Sequence, residues 1–238
     1  MSNGRFVWQQ LNTTDPAAAK QFYHGLLGWS YEDNDMGDGM IYTQASANGV
    51  PFGGIMQSMA PEGVPPHWIP YISTDNVDEG LKQIAGIGRF ALVSDPQGAV
   101  FQYFKPGMEG GGEREGQPKP GEIAWQELLT SDPEAGAEFY RQLFGWEVKK
   151  EAMEGMDYYL FKRGDRNVGG MMQRPAQMPV SAWGVYFEVA DIDAAFDRLK
   201  QLGGTALTEI MPIPGTGRIA AALDPQGAAF AIMQMDPM

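Results

Sequence analysis

The feature that most constrains the fold is an internal duplication. Trp8 to Trp29 reads WQQLNTTDPAAAKQFYHGLLGW and aligns without a gap to Trp125 to Trp146, WQELLTSDPEAGAEFYRQLFGW, with agreement at twelve of twenty-two positions. The correspondence continues along the chain. Met40-Ile-Tyr42 answers Met156-Asp-Tyr158, Gly53-Gly54 with Met56-Gln57 answers Gly169-Gly170 with Met172-Gln173, and Asp95-Pro-Gln-Gly98 recurs as Asp224-Pro-Gln-Gly227. A chain that repeats itself must fold as two similar units, so the fold follows from reading one copy. Lys105 to Gly121, rich in Gly, Pro and charge and without apolar periodicity, reads as the linker between them.

One copy reads as follows. Phe6 to Leu11 is a short apolar and aromatic run, hence a strand. Asp15-Pro16 supplies an N-cap acid and a proline at the first helical position, and Gly28 stops the helix that follows. Trp29 to Glu32, Gly39 to Ala45 and Val50 to Gln57 are three more strands, giving β-α-β-β-β. A second cycle begins at His67 to Ser73 as strand, with a helix over Val77 to Ile84 and a last strand over Gly98 to Phe104. The later half repeats the cycle with Ala182 to Val189, a helix over Ile192 to Leu202, Thr205 to Ile210, Thr216 to Leu223 and Ala228 to Gln234. Leu202 to Thr216 has almost no counterpart between Ile84 and Ile87, so about one strand is missing from the first copy. The expected organisation is α+β: two tandem domains, 1–104 and 122–238, joined by a linker at 105–121, each of two βαβββ modules.

Composition narrows the chemistry. Thirty acids against seventeen bases give a net charge of −13, which repels nucleic acid and anionic membranes. Cysteine is absent and histidine occurs only as His24 and His67, which removes disulfides, thiolate metal sites, Cys nucleophiles and imidazole-rich centres. No stretch approaches the roughly 20 apolar residues of a membrane span, and the first residues lack a basic and apolar leader. The expectation is a cytoplasmic monomer or homodimer.

The motif T-x-D-P-x-x-x-x-x-F-Y-x-x-L-x-G-W opening each half, and D-P-x-G-x-x-F closing it, resembles the vicinal oxygen chelate superfamily of glyoxalases, bleomycin-resistance proteins and extradiol dioxygenases. The resemblance implies paired βαβββ modules around a cleft. In metal-dependent members it implies a ligand near the middle of each module's first strand and one on its last strand. Those positions here are Trp8, Ile69, Trp125 and Gly184, then near Ile55, Gln102, near Met171 and Ala231. None is His or a carboxylate, and only Gln102 offers an oxygen, so no metal or other cofactor is expected.

Strand phase then selects candidates. Trp8 and Trp125 would face the cleft as an aromatic wall, against a competing role in the core. Gln10 and Glu127 share that phase. Glu127, near Tyr186 and Glu188, is the candidate general base, against the alternative of an ordinary hydrogen-bonded acid. Tyr71, Gln102, Met171 and Met233 complete the expected lining. His67 is a further candidate, with a solvated loop edge as the alternative; His24 reads as surface. Gly53-Gly54 and Gly169-Gly170 read as close strand packing, because no helix start or Lys-Ser/Thr follows them. Three functions compete: a metal-independent binder of a small molecule, cationic or aromatic in character; a glyoxalase- or isomerase-like lyase acting on a small carbonyl substrate through Glu127 or His67; and an interaction protein with vestigial pockets.

Overall fold

The computed structural model describes residues 3–74, 82–84, 88–106, 116–153 and 155–237. The first half gives β1 (Phe6–Thr13), α1 (Pro16–Leu27), β2 (Ser30–Asp35), β3 (Ile41–Ala47), β4 (Val50–Gln57), β5 (His67–Ser73), β6 (Lys82–Ile84), β7 (Gly88–Ser94) and β8 (Val100–Pro106). The second gives β9 (Ile123–Thr130), α2 (Pro133–Phe144), β10 (Glu147–Met153), β11 (Met156–Arg163), β12 (Arg166–Gln173), β13 (Ala182–Glu188), α3 (Ile192–Gln201), β14 (Thr205–Ala206), β15 (Met211–Ile213), β16 (Gly217–Leu223) and β17 (Ala229–Met235).

The helix ends are set by their termini. Asp15 and Asp132 each accept the backbone N–H three residues on, at 3.0 Å, with proline next in sequence. Such a cap stabilises by about 1 kcal/mol. Gly28 and Gly145 close the same helices at φ 72° and 70°, a left-handed conformation that glycine adopts without strain.

Each half builds one sheet. The first runs β2-β3-β4-β1-β5-β8-β7-β6 and the second β10-β11-β12-β9-β13-β17-β16-β14, with β15 also on β16. The sheets are curled and of the α+β class expected, and their difference lies at the outer edge. Ile84 pairs with Gly88 as Ile213 pairs with Gly217, so β6 answers β15; no described segment of the first half answers β14. Two expectations need correction here. Residues 82–84, read as the end of a helix, pair as a strand, because three residues carry too little pattern to separate the two; the rest of that helix lies outside the described residues. Lys105 and Pro106, read as linker, end β8.

The compact units cut across the halves. One consists of Met1–Trp8, Ile69–Glu113 and Trp125–Gly184, the other of Gln9–Trp68, Arg114–Ala124 and Val185–Met238. In the former, Ile72 and Phe101 pack with Leu128, Tyr140, Trp146, Phe161, Met171 and Trp183. In the latter, Phe22, Tyr23, Trp29 and Ile55 pack with Val185, Phe187, Phe230 and Ile232. Each core therefore joins a module of one half to a module of the other. The motif tryptophans are buried anchors: Trp29 Nε1 donates to Gly121 O at 2.7 Å, and Trp146 Nε1 to Gly4 O at 2.9 Å. The end of the linker is thus fastened to the core of its unit.

Candidate ligand-binding site

Strand alternation separates two faces of each sheet. On β9, Leu128 enters the core, so Trp125 and Glu127 lie on the opposite face. Glu127 stands beside Gly170 of β12, and a Cβ on Gly170 would collide with the Tyr158 hydroxyl of β11. The missing side chain lets Tyr158 cross the strand. Its Oη donates to Glu127 Oε1 at 2.8 Å and accepts from Trp125 Nε1 at 2.8 Å. Glu127 is 7% exposed. Burial, reinforced by the neighbouring Glu127 charge, holds the Tyr158 phenol well above its ordinary range, so it serves as a donor. The outcome is an aromatic and carboxylate group whose orientation is fixed by a three-residue hydrogen-bond chain.

Glycine pairs thus have a local cause. Gly169 packs against the carbonyl of Gln126 and Gly53 against that of Gln9, while Gly54 lies under Tyr42 as Gly170 lies under Tyr158. In the first half Gln10 takes the place of Glu127: its Nε2 lies 2.8 Å from Asn12 Oδ1 and 3.1 Å from Met56 Sδ. Trp8, half-buried, shares that face of β1 by alternation. The two copies present the same frame with an amide in one and an acid in the other.

The remaining candidates divide. Tyr71 and Gln102 are adjacent on β5 and β8, and Tyr71 meets Phe104 edge-on at 6.0 Å. On β13 and β17, Tyr186 is paired with Ala231 and Glu188 with Met233, all on the face opposite Val185, Phe187 and Ile232, where Ala231, Met233 and Glu188 are nonetheless buried. Glu188 Oε1 accepts from Met235 N at 3.1 Å, and burial raises its carboxyl above the ordinary range against the lowering effect of that N–H. Met171 requires correction: it is fully buried among the core residues and its sulfur faces Gly136 of α2, because alternation gives the other face to Gly170 and Met172. Ile55 is core for the same reason. His67 Nδ1 lies 2.8 Å from Pro65 O at the start of β5. Glu127 and Glu188 belong to separate compact units.

Sequence reasoning overlooked Tyr158 and Tyr42, although the repeated Met-x-Tyr was visible. It also overlooked two buried networks. Asp224 Oδ2 accepts from Tyr23 Oη at 3.1 Å, which accepts from Trp68 Nε1 at 3.2 Å. Asp95 Oδ2 accepts from Tyr140 Oη at 3.0 Å, which accepts from Trp183 Nε1 at 3.0 Å. The other oxygen of each aspartate accepts the backbone N–H of the glutamine in its own Asp-Pro-Gln-Gly turn and that of the alanine that follows the turn. The recurrence of that turn and of the Phe-Tyr pair was the available signal.

Residues 122–232 match the sequence profile of the Glyoxalase/Bleomycin resistance protein/Dioxygenase superfamily. The chain is 36% identical over 248 residues to the "Putative glyoxylase CFP32" of Mycobacterium tuberculosis (strain CDC 1551 / Oshkosh), covering 97% of this chain and 94% of that one. This chain belongs to the glyoxalase/bleomycin resistance protein/dioxygenase superfamily. Another relative is the "Anthracycline biosynthesis protein DnrV" of Streptomyces peucetius, 30% identical over 261 residues, with 98% of this chain and 94% of that one covered. Among solved structures, the fold is similar to the Mn(II)-bound glyoxalase from Novosphingobium aromaticivorans, with a TM-score of 0.66, 12% identity and 98% and 83% of the two chains covered. It is also similar to the trihydroxybiphenyl dioxygenase of Sphingomonas wittichii strain RW1, with a TM-score of 0.69, 11% identity and 98% and 91% covered.

A metal does not fit the donors that this superfamily member presents. Trp8, Ile69, Trp125 and Gly184 on the first strands, and Gln102 and Ala231 on the last strands, include one neutral oxygen donor and no imidazole or carboxylate. Among the described residues no three His, Asp or Glu side chains group as a metal site.

Proposed function

We propose that the chain is a metal-independent binder of a small organic molecule, in the manner of the bleomycin-resistance branch. Trp125, Tyr158 and Glu127 contact the ligand. The observation that carries this reading is the fixed chain from Trp125 through Tyr158 to Glu127, an aromatic surface beside a carboxylate at the place where metal chemistry would need imidazole. The anthracycline connection in the Streptomyces peucetius relative's name supports a planar aromatic ligand. The negative charge of the chain supports a cationic one. The setting proposed is cytoplasmic, as monomer or homodimer. A panel of aromatic and cationic compounds, screened by thermal shift in the presence of chelator, tests the reading. Stabilisation should survive chelation and fall in Glu127→Gln.

The second reading is a glyoxalase- or isomerase-like lyase. It is favoured by the name of the Mycobacterium tuberculosis relative and by Glu127, whose buried carboxylate could accept a proton from a carbon next to a substrate carbonyl. Turnover of a small carbonyl substrate by chelated protein, lost in Glu127→Gln, would select it over binding alone.

A further inference from the structure

The fourth module differs from its first-half counterpart in a way that makes room. Tyr71, Gln102 and Leu92 stand side by side on β5, β8 and β7. The corresponding row on β13, β17 and β16 is Tyr186, Ala231 and Ala221. The next row is Ser73, Phe104 and Phe90 in the first half, against Glu188, Met233 and Ile219 in the second. Val185, Phe187, Ala220, Ala222, Phe230 and Ile232 enter the core, so both rows of the second half lie on its other face. A long amide and a Leu have become two methyl groups, and a hydroxyl has become a carboxylate.

That carboxylate is incompletely satisfied. Glu188 is 7% exposed, and its Oε1 takes the Met235 N–H, but no donor among the described residues reaches Oε2. Arg218 of β16 is engaged with Asp193 and Gln234. A buried carboxylate oxygen left without a donor loses its hydration and gains nothing in return, a cost retained when a ligand supplies the donor. A divalent cation would ask for several more oxygens than one carboxylate provides.

We propose that Glu188 anchors the ammonium group of an organic amine whose apolar body lies over Ala221 and Ala231, with Met233 and Ile219 beside it. This rests on the small-molecule reading above and concerns the other compact unit, the one that holds Glu188, with an amine as its ligand. The ammonium donates to Oε2, and the methyl floor accepts a ring or chain that Gln102 and Leu92 would obstruct in the first half.

Phenethylammonium and its neutral counterpart, phenethyl alcohol, are suitable probes, followed by methionine-methyl and tryptophan-indole NMR on the full chain. Phenethylammonium should shift the Met233 methyl and bind about tenfold or more tightly than the alcohol, the difference expected of a charge-assisted hydrogen bond. Glu188→Gln should erase that difference. Equal binding of the two probes, unchanged in the variant, would overturn the Glu188 assignment, as would shifts at the Trp125 indole with none at Met233; both results leave small-molecule binding standing. No shift at either residue would overturn the two together. Should Glu188→Gln fail to fold, Ala231→Leu serves instead: it should abolish the Met233 shift, and a retained shift would overturn the proposal.

Discussion

Tyr158 shows how a glycine and a phenol define a site together. Tyr158→Phe removes the donor to Glu127 and the acceptor of Trp125, two partly buried hydrogen bonds, and should cost about 1–3 kcal/mol by denaturant unfolding. Gly170→Ala should cost a similar amount, about 1–3 kcal/mol, because the added methyl displaces the Tyr158 ring; in a Gly170→Ala/Tyr158→Ala double variant the second penalty should shrink. Glu188 gives a pH test. Its folded carboxyl lies above the ordinary value through burial, so its contribution favours the folded state below the unfolded pKa of about 4.3 and is lost as pH rises through the folded value. Glu188→Gln should therefore be at least as stable as the parent at neutral pH, with the gain shrinking on acidification. A variant less stable at neutral pH would contradict that sign.

At the scale of elements, legibility in the sequence followed the strength of the local signal. The helices α1 and α2 were legible because Asp-Pro at the start and Gly at the end each act through the backbone alone. Strand faces were legible where alternation could be anchored, which set Glu127 opposite Leu128, and Tyr186 and Glu188 opposite Val185 and Phe187. Met171 was misplaced because the glycine pair preceding it offers no apolar alternation to fix the phase. The two Trp-Tyr-Asp networks were illegible for a different reason: Tyr23 and Asp224 stand 201 residues apart, and no local rule couples a helix to a turn in the other half. These networks tie a helix of one half to the Asp-Pro-Gln-Gly turn of the other. Asp224→Ala leaves the Tyr23 hydroxyl and two backbone N–H groups without their acceptor and should cost about 3 kcal/mol or more. Asp95→Ala should behave alike, and Tyr23→Phe, which removes one bond of the network, should cost less.

At the scale of the whole molecule, each half forms one sheet while each core takes a module from both halves. Loss of packing in one module is then felt by the module of the other half that shares its core: unfolding monitored at Trp29 should respond to Asp224→Ala, and unfolding monitored at Trp146 to Asp95→Ala. Duplication has also let the copies diverge on the face away from the core: Gln10 against Glu127, Gln102 against Ala231 and Leu92 against Ala221 assign polarity and space to the second half. The central claim is that the face carrying Trp125, Tyr158 and Glu127 binds an organic ligand without a metal. Isothermal titration of a ligand found by thermal shift, into chelator-treated protein and into protein supplemented with Mn(II), Ni(II) or Zn(II), tests it directly. The account predicts the same affinity and stoichiometry in both preparations, with Glu127→Gln weakening both; binding that appears only after metal is added would contradict it.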